Sequence, residues 1–372
     1  MAMDARSAEA AQKLASLRDV LQQRQAGAIV LTRIPNFAWL TAGARSFINV
    51  AAEDGAAWAV VTPSRAAIVT SNIEAARLRE EELPDLDWEL VACPWWDGAA
   101  MPAAVRDLVG TAAVLSDGSL PGSESAAAEV AALRVRLTEG EQTRARSVAR
   151  DAADALEATC RAIRRGEGEW QIAARLAEQA YTRGLEPVVH LVAADERVFT
   201  RRHPLPTARA VERYAMVVLC GMRDGLVLSC TRLVHLGAVP DDLARRWLGA
   251  AQVDAEMIAA TRPGATAGQI FSRARQAYAA AGFPDEWQHH HQGGLAGYAS
   301  REWRAVPDGT QVVAAGQIFA WNPSVAGAKS EDTVLSRADG IPEVLTEMPS
   351  WPASPLRSSD GHTVRRPQIL VL

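Results

Sequence analysis

The chain has 372 residues, of which 48% are hydrophobic and 22% are charged, and its formal net charge is −5. This is the composition of a globular protein, and the length predicts two domains. No basic cluster interleaved with aromatic residues is present, which argues against a nucleic-acid partner. No apolar run approaches the roughly 20 residues that span a membrane, so we expect no membrane partner either.

Two further features concern the compartment. The first ten residues are polar and of mixed charge, without the apolar segment of a secretory signal. The four cysteines are scattered and form no Cys-x-x-Cys pair. This usage fits a reducing environment, so we expect a cytoplasmic protein.

Residues 1–137 are predicted to form an α/β domain. Apolar spacing predicts helices over residues 4–25, 72–82 and 99–109. Short apolar runs bounded by turn residues predict strands over residues 27–32, 56–62, 66–70, 88–93 and 112–116. Helices and strands that alternate in this way are typical of a compact mixed domain.

Residues 138–372 are predicted to form a second domain that begins with a helix. Thr138, with Gln142 nearby, is a weak capping signal at its start. Helices are predicted over residues 139–165, 171–184, 241–260 and 266–281. Two apolar runs, 214–221 and 226–235, are joined by a Gly/Asp turn and predict a β-hairpin.

Three motifs follow the hairpin, and together they indicate a family. They are His289-His-His-Gln-Gly-Gly294, Ile318-Phe-Ala-Trp-Asn-Pro323 and Gly327-Ala-Lys-Ser-Glu-Asp-Thr333. In this order and at these distances, the chain resembles the creatinase, Xaa-Pro aminopeptidase and methionine aminopeptidase superfamily. The resemblance implies an α/β (α+β) fold, with a creatinase-type α/β domain followed by a pita-bread catalytic domain.

Metallopeptidases of this superfamily hold two metal ions with two Asp, one His and two Glu. On this chain the resemblance places the first Asp at Leu219 or Cys220, the second at Cys230 and the first Glu at Trp321. None of these residues is a carboxylate. A pair of hard divalent ions needs several carboxylates to balance its charge. The resemblance therefore implies a vacated metal site and no metal cofactor.

Two of the five ligand positions are retained, as His291 and Glu331. Together with the Cys230 thiolate they could form a three-ligand zinc or manganese site, which is the alternative to a vacated one.

The resemblance also implies catalytic roles without a metal, since creatinase shares the fold and uses a His as acid and base. His203 lies between Arg202 and Pro204, where peptidases of the family place a substrate-binding His, and imidazole suits proton transfer near neutral pH. The candidate catalytic residues are His203, His291, Glu331 and Cys230. Glu331 either binds a substrate cation or acts as a base, or it forms a buried ion pair with Lys329. Cys230 is either a nucleophile or a buried core residue. The candidate substrate-binding residues are Arg202, His290, Trp321, Arg232 and Tyr298.

Three functions remain open at this point. The first is a metal-independent enzyme that acts on a small amide, amino-acid or guanidino-type substrate by His acid–base catalysis. The second is a metal-dependent Xaa-Pro aminopeptidase or dipeptidase with a Cys/His/Glu site. The third is an inactive homologue that serves as a binding protein. The family resemblance also implies a homodimer.

Overall fold

The computed structural model describes residues 3–118 and 120–372, so Ser119 and the first two residues of the polar N-terminal segment lie outside it. Residue contacts divide the chain into two compact units, Met1–Val135 and Arg136–Leu372. This division falls two residues before the boundary expected from the sequence. Among the described helices, none combines the length and hydropathy needed to cross a membrane.

The first unit is built around one mixed sheet of six strands, in the order β4-β3-β2-β1-β5-β6. The strands are β1 Ala28–Arg33, β2 Asp54–Val61, β3 Ala66–Ser71, β4 Glu89–Cys93, β5 Val114–Ser116 and β6 Glu124–Ser125. The helices are α1 Met3–Arg24, α2 Ile34–Leu40, α3 Ala75–Arg77, α4 Ala100–Val109 and α5 Ala127–Arg134, with a π-helical turn at Leu78–Glu82. Buried valines from β1, β2 and β3 form part of a core with Val105 of α4.

The second unit begins with a well-capped helix. The Thr138 side chain accepts a hydrogen bond from the Glu141 backbone N–H at 3.2 Å, and the Glu141 carboxylate accepts one from the Thr138 N–H at 2.7 Å. This reciprocal pair satisfies two backbone donors that a helix start leaves without partners. The partner of Thr138 is thus Glu141 and not Gln142.

Two larger sheets form the centre of the second unit. The first, in the order β19-β9-β8-β7, contains β7 Glu186–Ala194, β8 Tyr214–Arg223, β9 Leu226–His235 and β19 Leu370–Val371. The second, in the order β11-β10-β12-β15-β16, contains β10 Gly293–Ala296, β11 Trp303–Arg304, β12 Ile318–Trp321, β15 Asp332–Leu335 and β16 Glu343–Val344. Two small ribbons pair β13 Ser324–Val325 with β14 Ala328–Lys329, and β17 Ala353–Arg357 with β18 Thr363–Pro367.

Helices accompany these sheets. They are α6 Glu139–Arg161, α7 Glu169–Tyr181, α8 Glu196–Thr200, α9 Asp241–Ala260 and α10 Ala267–Ala280, with a 3₁₀ turn at Glu286–His289. Helix α6 packs on β8 and β9. The mixture of helices and sheets in both units confirms the α/β (α+β) class.

The predicted hairpin is formed by β8 and β9. Their ladder ends at the pair Arg223 and Leu226, so the loop has two residues, Asp224 and Gly225. Both have positive φ, 53° and 77°, as a type I′ turn requires. An isolated bridge from Thr231 of β9 to Glu331, whose backbone N···O distance is 3.1 Å, joins this sheet to the start of β15.

Candidate active site

Three histidine rings from two segments converge in the second unit. The Nε2 atoms of His203 and His290 are 3.2 Å apart, so one ring donates a hydrogen bond to the other. The ring centroid of His291 lies 5.5 Å from that of His203 and 4.7 Å from that of His290. One ring nitrogen from each of the three residues falls within 4.8 Å of the others. We call these three residues the His cluster.

Ser324 fixes the orientation of His290 in the His cluster. The Nδ1 atom of His290 lies 2.9 Å from the Ser324 hydroxyl, which also accepts a hydrogen bond from Arg202 at 3.1 Å. Arg202 is itself held by an ion pair with Glu286. Because His290 is buried and fixed at Nδ1, its Nε2 atom points at His203. Arg202 thus supports the cluster through Ser324.

A second group of charged residues surrounds Glu331, which is buried. Its Oε2 atom is 2.7 Å from the Lys329 ammonium and accepts a hydrogen bond from the Thr231 hydroxyl. Its Oε1 atom is 3.3 Å from Arg301. We call Glu331, Lys329 and Arg301 the cation cluster, since two cations meet one carboxylate.

The charges of the cation cluster act on the His cluster. Burial lowers the pKa of His203, and the charge of Lys329 lowers it further. Burial and then the charge of Arg301 lower the pKa of His291 to about 4. Burial and then the charge of Lys329 place the pKa of His290 far below its usual value. The rings are therefore neutral at pH 7, when an imidazole can accept a proton.

The pKa of Glu331 moves in the opposite direction to most buried carboxylates. Burial alone would raise it, but the charges of Lys329 and Arg301 outweigh burial and lower the pKa to about 2. Glu331 is thus ionised at neutral pH, and its charge is compensated within the protein.

The face of the hairpin that contacts Glu331 carries Thr231 and not Cys230, contrary to expectation. Side chains alternate between the two faces of a strand. Because Thr231 reaches Glu331, its neighbour Cys230 lies on the opposite face. Cys230 pairs with Leu219, which shares its strand face with Gly221. A Cβ atom added at Gly221 would lie 3.5 Å from Ala152 of α6, so this face packs on the helix.

The expectation of a Cys230 nucleophile or metal ligand is therefore corrected. Cys230 is fully buried on the helix side, and burial raises the pKa of its thiol well above the usual value. A thiol that stays protonated is a poor nucleophile and a poor ligand. The hairpin residues that share the face of Thr231 include Val218, Cys220 and Ser229.

Trp321 does not line the site either. Its indole N–H donates to the Thr261 hydroxyl at 2.9 Å, and its ring stacks on Phe319 at a centroid distance of 5.4 Å. Since Trp321 pairs with Asp332, the next residue, Asn322, lies opposite Glu331. In the family's Glu-Pro-Gly motif the Glu immediately precedes the proline, and here Asn322 immediately precedes Pro323. The ligand position that was expected at Trp321 is therefore occupied by Asn322. Pro323 is the residue that could have revealed this alignment in the sequence.

Two other candidate substrate-binding residues have structural partners. The buried Arg232 guanidinium donates to Asp332 and to the backbone oxygens of Thr231 and Thr346. The Tyr298 hydroxyl donates to Glu141 at 2.7 Å, at the start of α6. Both side chains are engaged in the packing of the second unit, and the expectation that they bind substrate is corrected.

The structure contains the buried ion pair of Glu331 with Lys329 that the sequence left open, whereas Arg301 and Ser324 were not predicted as parts of the site. The available signal for Lys329 was its spacing from Glu331, since residues two apart on an extended chain face the same side. No local pattern marks Arg301 or Ser324, because tertiary structure brings them to the site.

Comparison with known proteins identifies the family. The profile of metallopeptidase family M24 matches residues 143–338, more than half of the chain. The chain belongs to metallopeptidase family M24. No curated protein matches the sequence significantly.

Solved structures confirm the two-domain pita-bread fold of this M24 protein. Prolidase from Pyrococcus horikoshii aligns with a TM-score of 0.78 at 18% identity, over 91% of this chain and 98% of its own. Dipeptidase PepE from Mycobacterium ulcerans gives 0.76 at 20% identity, over 98% of both chains. Xaa-Pro dipeptidase from Bacillus anthracis gives 0.76 at 17% identity, over 98% of this chain and 100% of its own. The M24 chain is thus peptidase-like in sequence and fold.

A metallopeptidase family implies bound metal ions, and the residues at the ligand positions decide whether this chain can hold two of them. The residues at the family's ligand positions offer one carboxylate, Glu331, one imidazole, His291, and the neutral amide of Asn322, whose buried Oδ1 atom has no hydrogen-bond partner among the described residues. An ammonium already lies 2.7 Å from the Glu331 oxygen that a metal would need. On the hairpin face, Val218 and Ser229 supply no charge, and burial raises the pKa of the Cys220 thiol, which keeps it protonated. A pair of divalent ions requires bridging carboxylates, so these residues do not fit a two-metal centre.

Proposed function

We propose that this M24 protein is a metal-independent, creatinase-like hydrolase that acts on a small amide or amino-acid substrate by histidine acid–base catalysis. The observation that carries the proposal is the convergence of three neutral imidazoles. The charge of Glu331, which Lys329 and Arg301 compensate, acts on one of them, His203. Titratable groups that converge with shifted pKa values mark candidate catalytic sites.

His203 is proposed as the general base. It is the most exposed ring of the His cluster and is neutral at pH 7, so it can take a proton from a water molecule. The water oxygen then bonds to the carbonyl carbon of the substrate. The C–N bond breaks when the nitrogen receives the proton from His203, and the products are a carboxylic acid and an amine. Proton transfer by a positioned side chain contributes roughly 10²- to 10⁴-fold in rate.

His290 is proposed as a positioning residue. Because Ser324 holds its Nδ1 atom, His290 can fix the ring of His203 through the 3.2 Å contact between their Nε2 atoms. Arg202 acts on the same Ser324 hydroxyl and so stabilises His290. His291, whose buried Nδ1 atom has no hydrogen-bond partner among the described residues, is proposed to contact the substrate.

The charges of the site favour some of the expected substrates over others. Lys329 and Arg301 together outnumber the single carboxylate, Glu331. A guanidinium compound would be repelled by these two cations, so the guanidino-type substrate is the least suitable of the three classes. Neutral amides and amino acids that carry a carboxylate fit this field better.

The test is turnover of dipeptides, N-acyl amino acids and simple amides in the presence of a chelator. The substitution His203→Gln is expected to lower kcat at least 100-fold with little change in melting temperature. His289→Gln is the matched control, because His289 is exposed and lies outside the His cluster. Turnover that the chelator abolishes would contradict the metal-independent proposal.

The remaining alternatives have clear outcomes in the same assay. A Cys/His/Glu metal site finds no support, since Cys230 faces α6. An inactive binding protein would give no turnover with any substrate, and the His203→Gln variant would then behave as the parent. A homodimer and a cytoplasmic location stay predictions.

A further inference from the structure

The use of lysine in this chain is highly selective. Only two of the 39 basic residues are lysines, Lys13 and Lys329, and the rest are arginines. Lys329 is 6% exposed. Arginine offers a planar fork of five donors, whereas lysine offers a compact point charge. The site thus contains an ammonium in a chain that otherwise uses guanidinium groups almost everywhere.

The geometry leaves the ammonium of Lys329 with unused hydrogen-bonding capacity. An ammonium carries three N–H donors. Within residues 3–118 and 120–372, the acceptor found for Lys329 Nζ is Glu331 Oε2, at 2.7 Å. A buried donor without an acceptor costs stability, so a ligand oxygen at this place is favoured.

There is also space beside Lys329. A cavity of about 10 Å³ is lined by the polar residues Lys329, Arg201, Arg202 and Ser324, together with apolar side chains. This is about the smallest space that can hold one water molecule. Since Ser324 also contacts His290, the cavity lies next to the residue that positions the proposed base.

We infer that the Lys329 ammonium, fixed by Glu331, is the electrophilic group of this site, which binds the carbonyl oxygen of the substrate and stabilises the oxyanion that forms when water adds. In a metallopeptidase a carboxylate holds a metal cation near the reacting oxygen, whereas here the carboxylate holds a side-chain cation. Lys329 transfers no proton and forms no covalent bond. The inference rests on the proposed function and predicts that small carboxylates, as product analogues, bind at Lys329.

The small number of lysines makes a direct test practical. Protein labelled with ¹³C at the lysine ε-carbon should give two NMR signals, and Lys13→Arg should remove one of them. Lys13 is the internal control, because it lies in the first unit and pairs with Glu9. Sodium acetate is added to the wild-type protein and to Lys13→Arg, with sodium chloride at equal ionic strength as the reference.

We expect acetate to move the Lys329 signal along a saturating curve and to leave the Lys13 signal in place. An unchanged Lys329 signal, or equal shifts of both signals that sodium chloride reproduces, would overturn the inference. This readout needs no turnover and no substitution in the site. Saturable acetate binding without any catalysis would contradict the proposed hydrolysis alone. Catalysis without acetate binding would contradict the proposed role of Lys329.

Kinetics provide the second measurement. Removing one donor that stabilises an oxyanion lowers kcat by roughly 10²- to 10³-fold. Lys329→Met should show this loss mainly in kcat, and Lys329→Arg should recover part of it because it keeps the charge and the ion pair. Equal kcat values in Lys329→Met and the wild type would overturn the role of Lys329.

Discussion

At the scale of single residues, Glu331 shows how the site differs from a metal centre. It is buried, and its charge would be costly without partners. Lys329 and Arg301 supply them at 2.7 and 3.3 Å. A metal ion at this carboxylate would have to displace an ammonium and then lie close to two cations. The balance of charge therefore disfavours a metal ion at Glu331.

The substitution Glu331→Gln tests this balance. It leaves the buried Lys329 and the partly buried Arg301 without a counter-charge, and breaking a buried pair costs about 3–5 kcal/mol. Denaturant unfolding at pH 7 measures the loss. Glu53→Gln is the matched control, since its ion pair with Arg33 is on the surface and should contribute below about 1 kcal/mol. Equal losses in the two variants would contradict the compensating role of Glu331.

The difference in stability between the wild type and Glu331→Gln should depend on pH, because the pKa of Glu331 is lowered in the folded protein. Its pKa is about 2 in the folded protein and near 4.5 when unfolded. The unfolded chain binds the proton more readily, so the stabilisation is complete above pH 4.5 and is lost as the pH falls towards 2. The stability curves of the wild type and Glu331→Gln should begin to converge below pH 4.5 and should meet near pH 2. Curves that stay parallel from pH 7 to pH 3 would disprove the lowered pKa.

At the scale of elements, the hairpin could be predicted but its faces could not. The apolar runs and the Asp224-Gly225 turn identify β8 and β9. However, all ten residues of β9 are buried, so no alternation of polar and apolar residues marks the side of the site. Burial of β12 similarly hid which of Trp321 and Asn322 faces Glu331. Where both faces of a strand are covered, the contact of Thr231 with Glu331 is needed to set the orientation.

The orientation of β9 predicts the outcome of Cys230→Ala. Because Cys230 packs towards α6, the substitution should leave kcat and KM unchanged and lower the free energy of unfolding by about 1 kcal/mol. Cys160→Ala, a second fully buried cysteine in α6, is the control for core packing. A 100-fold loss of kcat in a folded Cys230→Ala protein would restore the nucleophile hypothesis.

At the scale of the whole molecule, the order of helices, hairpin and motifs predicted the fold class and the family. The nine-residue strand β7 was missed, and so were the short elements. Examples are β13, β14 and β16, which have two residues each and so cannot show a periodic pattern. The ribbon of β13 and β14 nevertheless carries Ser324 and Lys329 into the site. Part of the candidate site therefore depends on strands that are too short to be predicted from periodicity.

The most direct test of the metal-free account is the metal content of protein purified without chelators and without a His tag. We predict much less than one equivalent of manganese, cobalt or zinc per chain, and no rise in melting temperature when these ions are added. A ligand that binds the folded state would raise that temperature. One or two equivalents of metal together with a clear stabilisation would contradict the account and would make the protein a metallopeptidase with an unusual ligand set.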